Sequence, residues 1–234
     1  MTRYREQKRR FIAVIVALLI IAGGIVTNQD MWQVEVPRQS SGWVQNSPAL
    51  EKLNQLEVKG RAPKTGYDRE QFGGDWAMRE GCDTRNIILY RDLTKAAVGD
   101  ECKVVSGTLD DPYTGQTVTF ARGAATSSEV QIDHVVALSD AWQKGAQQLT
   151  YERRVQLAND PLELLAVDGE ANQQKSGSDA ASWLPPNKAF RCQYVARQIA
   201  IKAKYDLWIT QAEYAAIKNV LNHCPDQVVP SASD

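Results

Sequence analysis

Beyond about residue 66 the chain is built of short apolar runs separated by turn residues. Ile87-Ile88-Leu89-Tyr90 has the residue types of a strand, as does Cys102-Lys103-Val104-Val105. Asp110-Asp111-Pro112-Tyr113-Thr114-Gly115 is turn chemistry, so Thr117-Val118-Thr119-Phe120 reads as a returning strand. With Pro and Gly directly behind it, the Asp110-Asp111 pair belongs to that turn rather than to a metal site. Val130 to Asp133 reads as a further short strand. Ala137 to Ala146 is helical, and Thr150 caps another helix to about Ala158. Leu162 to Val167 alternates poorly but is apolar enough for a buried strand. Asp168-Gly169 then turns the chain into a short helix over Glu170 to Lys175.

The C-terminal part is helical. Pro185-Pro186-Asn187 stops what precedes it. Phe190, Tyr194 and Ile199 then recur at near-helical spacing up to about Tyr205. Thr210-Gln211-Ala212-Glu213 is a capping box for a last helix reaching His223. Upstream, Ser47 as N-cap and Pro48 at the first helical position start one short helix inside an otherwise mixed, polar stretch. The pattern as a whole is α+β: a small antiparallel sheet followed by C-terminal helices.

The first 65 residues have a different character. Residues 1–10 form a basic segment. Residues 11–26 are uncharged and almost wholly apolar, and residues 27–65 look like a stalk or linker carrying three prolines. The apolar stretch is long for a signal-peptide core and short for a membrane span, so both readings stand. The poor cleavage sites after it favour an uncleaved signal anchor with a cytoplasmic N-terminus. Residues 66–226 form the expected domain and 227–234 a flexible tail. Cys82, Cys102, Cys192 and Cys224 all follow the apolar segment, and an even number of cysteines in an exported chain implies two disulfides. Of three pairings, Cys82–Cys102 and Cys192–Cys224 would staple neighbouring elements. A zinc site lacks the Cys-x-x-Cys spacing. The net charge is −1. Without residues 1–10, 22 basic and 27 acidic residues remain, a net of −5. That balance argues against nucleic acid as a tightly held partner, but less against an enzyme that needs only local positive charge.

The candidate chemistry centres on Val130-Gln131-Ile132-Asp133-His134, with Asn159 and Asn172 downstream. An imidazole with its ordinary pKa is poised as a general base at neutral pH. Asp carboxylate and Asn amide oxygens suit a hard cation, which would act as a Lewis acid. Neighbours in a strand face opposite ways, so Asp133 and His134 share one site only at a strand end where the backbone bends. Arg122 and Lys175 lie near the motif in sequence and are candidate phosphate contacts. Trp76, Trp142, Trp183 and Trp208 read as core rather than as stacking platforms.

These separated motifs resemble the HNH endonucleases, and more narrowly the secreted proteins similar to the C-terminal domain of the GmrSD restriction enzymes. The likeness is carried by Ile132-Asp133-His134-Val135-Val136-Ala137-Leu138, Asn159-Asp160-Pro161-Leu162 and Asn172-Gln173-Gln174-Lys175-Ser176. Thr84-Arg85-Asn86, Asp111 to Gly115 and Ser182 to Pro186 extend it from about Gly66 to Cys224. The resemblance implies a ββα-metal (HNH, His-Me finger) core and a metal-dependent endonuclease that hydrolyses phosphodiester bonds, with DNA the leading substrate. In that resemblance His134 is the general base, Asn159 braces the loop that carries it, and Asp133 and Asn172 are metal ligands. The motif's third letter is Asn here rather than His. An oxygen-only ligand set favours Mg²⁺, with Mn²⁺ as the second choice. Such a protein would be extracytoplasmic, either secreted or held at the membrane by its N-terminal helix. The alternatives are a non-catalytic cell-surface binding domain on the same scaffold and a phosphodiesterase for a smaller substrate.

Overall fold

The computed structural model describes residues 47–124 and 126–231. The basic segment, the apolar segment 11–26 and residues 27–46 lie outside the described residues. Among the described residues no helix is long and apolar enough to cross a membrane.

The architecture is mixed α+β, with small antiparallel sheets and helices at the C-terminal end. A first helix, α1, spans Pro48–Leu53 and is capped by the Ser47 side chain, which accepts from Leu50 N. Strands β1 (Met78–Arg79) and β2 (Cys82–Asp83) pair, and helix α2 (Thr84–Asp92) follows. Strands β3 (Thr94–Val98), β4 (Val104–Asp110) and β5 (Thr117–Ala121) form a three-stranded antiparallel sheet in that order. Strand β6 (Val130–His134) pairs antiparallel with β7 (Leu164–Asp168), placing Asp133 opposite Leu165 and His134 opposite Leu164. Between them lie helices α3 (Leu138–Gln143) and α4 (Tyr151–Ala158), the latter capped by the Thr150 hydroxyl, which accepts from Arg153 N. Helix α5 (Gly169–Lys175) leaves β7 directly. Helices α6 (Arg191–Lys204) and α7 (Gln211–Leu221) complete the fold, with Thr210 capping α7 by accepting from Glu213 N.

The β6–β7 hairpin is buried on both faces. Val130, Ile132, Leu164 and Ala166 pack with α2 and the three-stranded sheet through Ile88, Leu89, Leu109 and Phe120. Leu165 and Val167 point the other way, into a cluster with Tyr113, Tyr194, Val195, Ile199 and Ile217. A strand buried on two faces has no reason to alternate, which explains the apolar run Leu164 to Val167. Disulfides join Cys82 to Cys102 and Cys192 to Cys224. Gly169 sits so close to the Ser128 carbonyl that a Cβ there would collide with it, and its amide donates to Glu129 O at 2.9 Å.

Three expectations are corrected. Ile87 to Tyr90 lies in α2, not in a strand. Asp83 caps that helix by accepting from Asn86 N, and Ile88 and Leu89 bury while Tyr90 faces solvent. Four apolar residues in a row fit a one-sided helix as well as a strand, and the cap decides. Residues 47–65 are no free stalk: Ala49, Leu50 and Leu53 are core, Lys59 N donates to Ile209 O, and the Trp208 indole donates to Gly60 O. Nor is the start of the tail loose, because Ala49 N donates to Gln227 O and Val229 packs on the core.

Candidate active site

The end of β6 divides two chemistries between two faces. Asp133 and His134 are both buried, at 5% and 7% exposure, and as strand neighbours they point to opposite sides. The bend that follows lets both line one open cavity of about 310 Å³, together with Lys64, Tyr67, Arg69, Asn172 and Ser176. Glu163 holds that bend, since its backbone carbonyl accepts from Val135 N and its carboxyl from Val136 N.

On one side, His134 Nε2 lies 3.0 Å from the Ala158 carbonyl oxygen at the end of α4. A carbonyl only accepts, so Nε2 carries the proton and Nδ1 keeps the lone pair. The ring stacks parallel to Trp76, with centroids 5.7 Å apart and planes within 4°. Burial holds the imidazole down at about 3, with Arg69 and Lys175 adding to the depression and the Ala158 carbonyl opposing it. The ring is therefore neutral at physiological pH, and it is a weaker base than the ordinary imidazole expected from the sequence. Asn159 makes no hydrogen bond to His134. Its Oδ1 accepts from Ala77 N at 2.9 Å and its Nδ2 donates to Val155 O at 3.0 Å, so it ties the Trp76 loop to the helix end that presents Ala158.

On the other side, Asp133 Oδ1 accepts from Lys175 Nζ at 2.9 Å and Oδ2 from the Tyr113 hydroxyl. Lys175 also donates to His134 O at 2.8 Å and is fully buried. Burial raises the Asp133 carboxyl above its ordinary value, against the pull of Lys175 and Tyr113. Asp133 is near Glu163, whose carboxyl burial pushes well above the carboxylate range. Asn172 Nδ2 donates to Gln131 Oε1 at 2.9 Å, which leaves its Oδ1 uncommitted.

Lys175 is thus no surface cation waiting for phosphate; it is the counter-ion of Asp133. Arg122 is also elsewhere: its guanidinium donates to Val104 O and Asn86 Oδ1 beside α2. Two site residues escape sequence reading. Tyr113 sits in the Asp111-Pro112-Tyr113-Thr114-Gly115 turn, where Asp111 accepts from Thr114 N on one oxygen and from Asp168 N on the other, joining the turn to the end of β7. Trp76 packs against the core of Ile88, Leu89 and Ile132 as expected, and its ring also stacks on His134. The turn motif was a signal for Tyr113; nothing in the sequence pattern signals Trp76.

Among the described residues no group of three His, Cys, Asp or Glu side chains could hold a metal. The donor set nevertheless suits a hard cation that keeps most of its waters. Asp133 retains lone pairs beyond those used by Lys175 and Tyr113, Asn172 offers Oδ1, and both line the same cavity. Carboxylate ligands are themselves commonly held by such hydrogen bonds.

Residues 83–220 match the family model of the GmrSD restriction endonucleases, C-terminal domain. The chain is also 39% identical, over 181 residues, to a protein of Arthroderma benhamiae described as an uncharacterized secreted protein; the match covers 76% of this chain and 85% of that one. On the strength of this match, which holds the Asp133–His134 hairpin and the helix behind it, the chain belongs to the family of GmrSD restriction endonuclease C-terminal domains.

Proposed function

We propose that this protein is an extracytoplasmic endonuclease that hydrolyses phosphodiester bonds of nucleic acid, DNA foremost, and that β6, β7 and α5 form its ββα-metal (HNH-type) core. The observation that carries the reading is the contact of His134 Nε2 with the Ala158 carbonyl, which fixes the tautomer. The Nε2–H is committed to that carbonyl, so the Nδ1 lone pair is free to act as a base in a cavity that also holds Asp133 and Asn172. The two disulfides, the apolar segment 11–26 and the secreted relative support export.

His134 Nδ1 takes a proton from a water as that water attacks phosphorus. The Ala158 carbonyl stabilises the imidazolium that results, because Nε2–H becomes a stronger donor to it. Asn159 keeps that carbonyl in place by tying the Trp76 loop to α4. Trp76 holds the imidazole plane and keeps bulk water from it. Asp133 and Asn172 would hold Mg²⁺ or Mn²⁺, which would supply Lewis-acid stabilisation of the charge that develops on the phosphate. Lys175 and Tyr113 orient the Asp133 carboxylate.

The test is cleavage of plasmid and single-stranded substrates by the purified protein, with and without Mg²⁺ or Mn²⁺, beside His134→Ala. Removing the general base should lower the rate by about 10²–10⁴-fold. Absence of cutting under every divalent ion, or equal cutting by His134→Ala, overturns the reading. A non-catalytic surface domain is then favoured, for which the observation is that Lys175 already neutralises Asp133.

A further inference from the structure

The sequence pointed to Arg122 and Lys175 as phosphate contacts, and the fold commits both elsewhere. A different cation stands at the site. Arg69 lines the cavity that contains Asp133, His134 and Asn172. It also lines the narrow cleft on the other side of His134, between Trp76 and Asn159. Of the three residues common to both, Arg69, His134 and Leu138, it is the only charged one.

Arg69 is also unlike the other arginines. Arg61, Arg85 and Arg91 bind carboxylates or backbone carbonyls, and so do Arg154 and Arg197. Arg79 binds Asn159 O, Arg122 the Val104 carbonyl, Arg153 the Lys204 carbonyl and Arg191 the Pro185 carbonyl. The exposed Arg69 guanidinium has no hydrogen bond or ion pair among the described residues. Its backbone is fixed in a short turn over Arg69–Phe72, capped by Asp68 and closed on Phe72, which is core. A planar five-donor fork, held on a fixed backbone beside a general base and left without an acceptor, matches the equatorial oxygens of a phosphodiester.

We propose that Arg69 is the substrate anchor of this site, gripping two non-bridging phosphate oxygens so that phosphorus faces His134. The inference rests on the nuclease reading and deepens it. It also means that the phosphate grip comes from outside residues 83–220, the part matched by the family.

Two measurements test it, on the full chain and on Arg69→Gln and Arg69→Lys. The first needs no catalysis. The chain has only two histidines, and His223 lies exposed just beyond the end of α7, with Nδ1 3.0 Å from Asn219 O. Inorganic phosphate, added at fixed pH without divalent ions, should move the His134 ring resonances and leave those of His223 still. Arg69→Gln should lose that response, and Arg69→Lys should keep a weakened one, since an ammonium gives charge without the fork. The second is oligonucleotide cleavage against salt. Arg69→Gln should raise KM about 10-fold with a smaller change in kcat, and lower the log–log salt slope by about 1.

If Arg69→Gln keeps the parent's phosphate response and KM, the anchor is overturned while the role of His134 stands. If the parent cuts nothing but its phosphate response depends on Arg69, the anchor stands and the nuclease reading falls. A parent ring that ignores phosphate overturns the anchor outright.

Discussion

Two groups of buried lysines and carboxylates sit in this fold, and they are balanced differently. The first joins α3, α6 and α7 to the residues before and after them. Lys144 reaches Asp140, Asp179 and Glu213 at 2.5–2.9 Å, Lys202 reaches Glu213 at 3.0 Å, and Arg61 closes on Asp140 and Asp179. Three cations meet three carboxylates. Burial disfavours the Lys144 ammonium, yet Glu213 and Asp140 lift it above the usual lysine value. Burial likewise disfavours the Asp179 carboxylate, yet Lys144, Ser182 and Arg61 hold it well below the usual range. The second group, at the strand end, has one ammonium, Lys175, for Asp133 and the nearby Glu163, and both carboxyls are raised. The same residue types make a staple where charges cancel and a protonation-sensitive site where they do not.

The contrast can be broken most directly at Lys144. Lys144→Met leaves buried carboxylates without their shared cation and should cost about 3–5 kcal/mol in urea unfolding at pH 7. A loss under about 1 kcal/mol would mean the first group is no staple. Lys175→Met should cost less, about 1–3 kcal/mol at pH 7, because Asp133 is already pushed toward its neutral form. It should also lower cleavage, which Lys144→Met, measured at a temperature where it stays folded, should spare.

The finest test is the sign of the pH dependence. A carboxyl depressed in the fold contributes stability that is present above its unfolded value, about 3.9 for Asp, and is lost as pH falls towards the folded value. The destabilisation by Asp179→Asn should therefore be full at pH 6 and shrink below about pH 4. Glu163 is raised, so its effect runs the other way: the fold is favoured below about 4.3 and loses ground as pH rises from there. Glu163→Gln should be within about 1 kcal/mol of the parent at pH 4 and gain on it towards pH 8. Parallel pH curves for the two substitutions would erase the distinction between the groups.

Much of this was legible in the chain because it is local. Ser47, Thr150 and Thr210 cap helices as their spacing announces. The order strand, inserted helices, strand, helix also follows from the runs at 130–134, 162–167 and 170–175. What was not legible is partnership at a distance. Lys175 meets Asp133 across 42 positions, the Tyr113 hydroxyl meets it across 20, and Ala77 N meets Asn159 across 82. Spacing cannot tell a buried lysine from a solvated one in the last turn of a short helix. Nor can it show that Trp76, packed on the core, also meets an imidazole.

The close approach of Gly169 to the Ser128 carbonyl has a consequence for fidelity. In a two-stranded ladder a shift of a single position exchanges the faces of every side chain, and here it would turn the imidazole towards Tyr113 and the carboxylate towards Trp76. A hairpin this short has little ladder energy with which to resist such slippage. The missing methyl at 169 lets one carbonyl sit as a notch that favours the observed alignment, in which carboxylate and imidazole each meet their own neighbours.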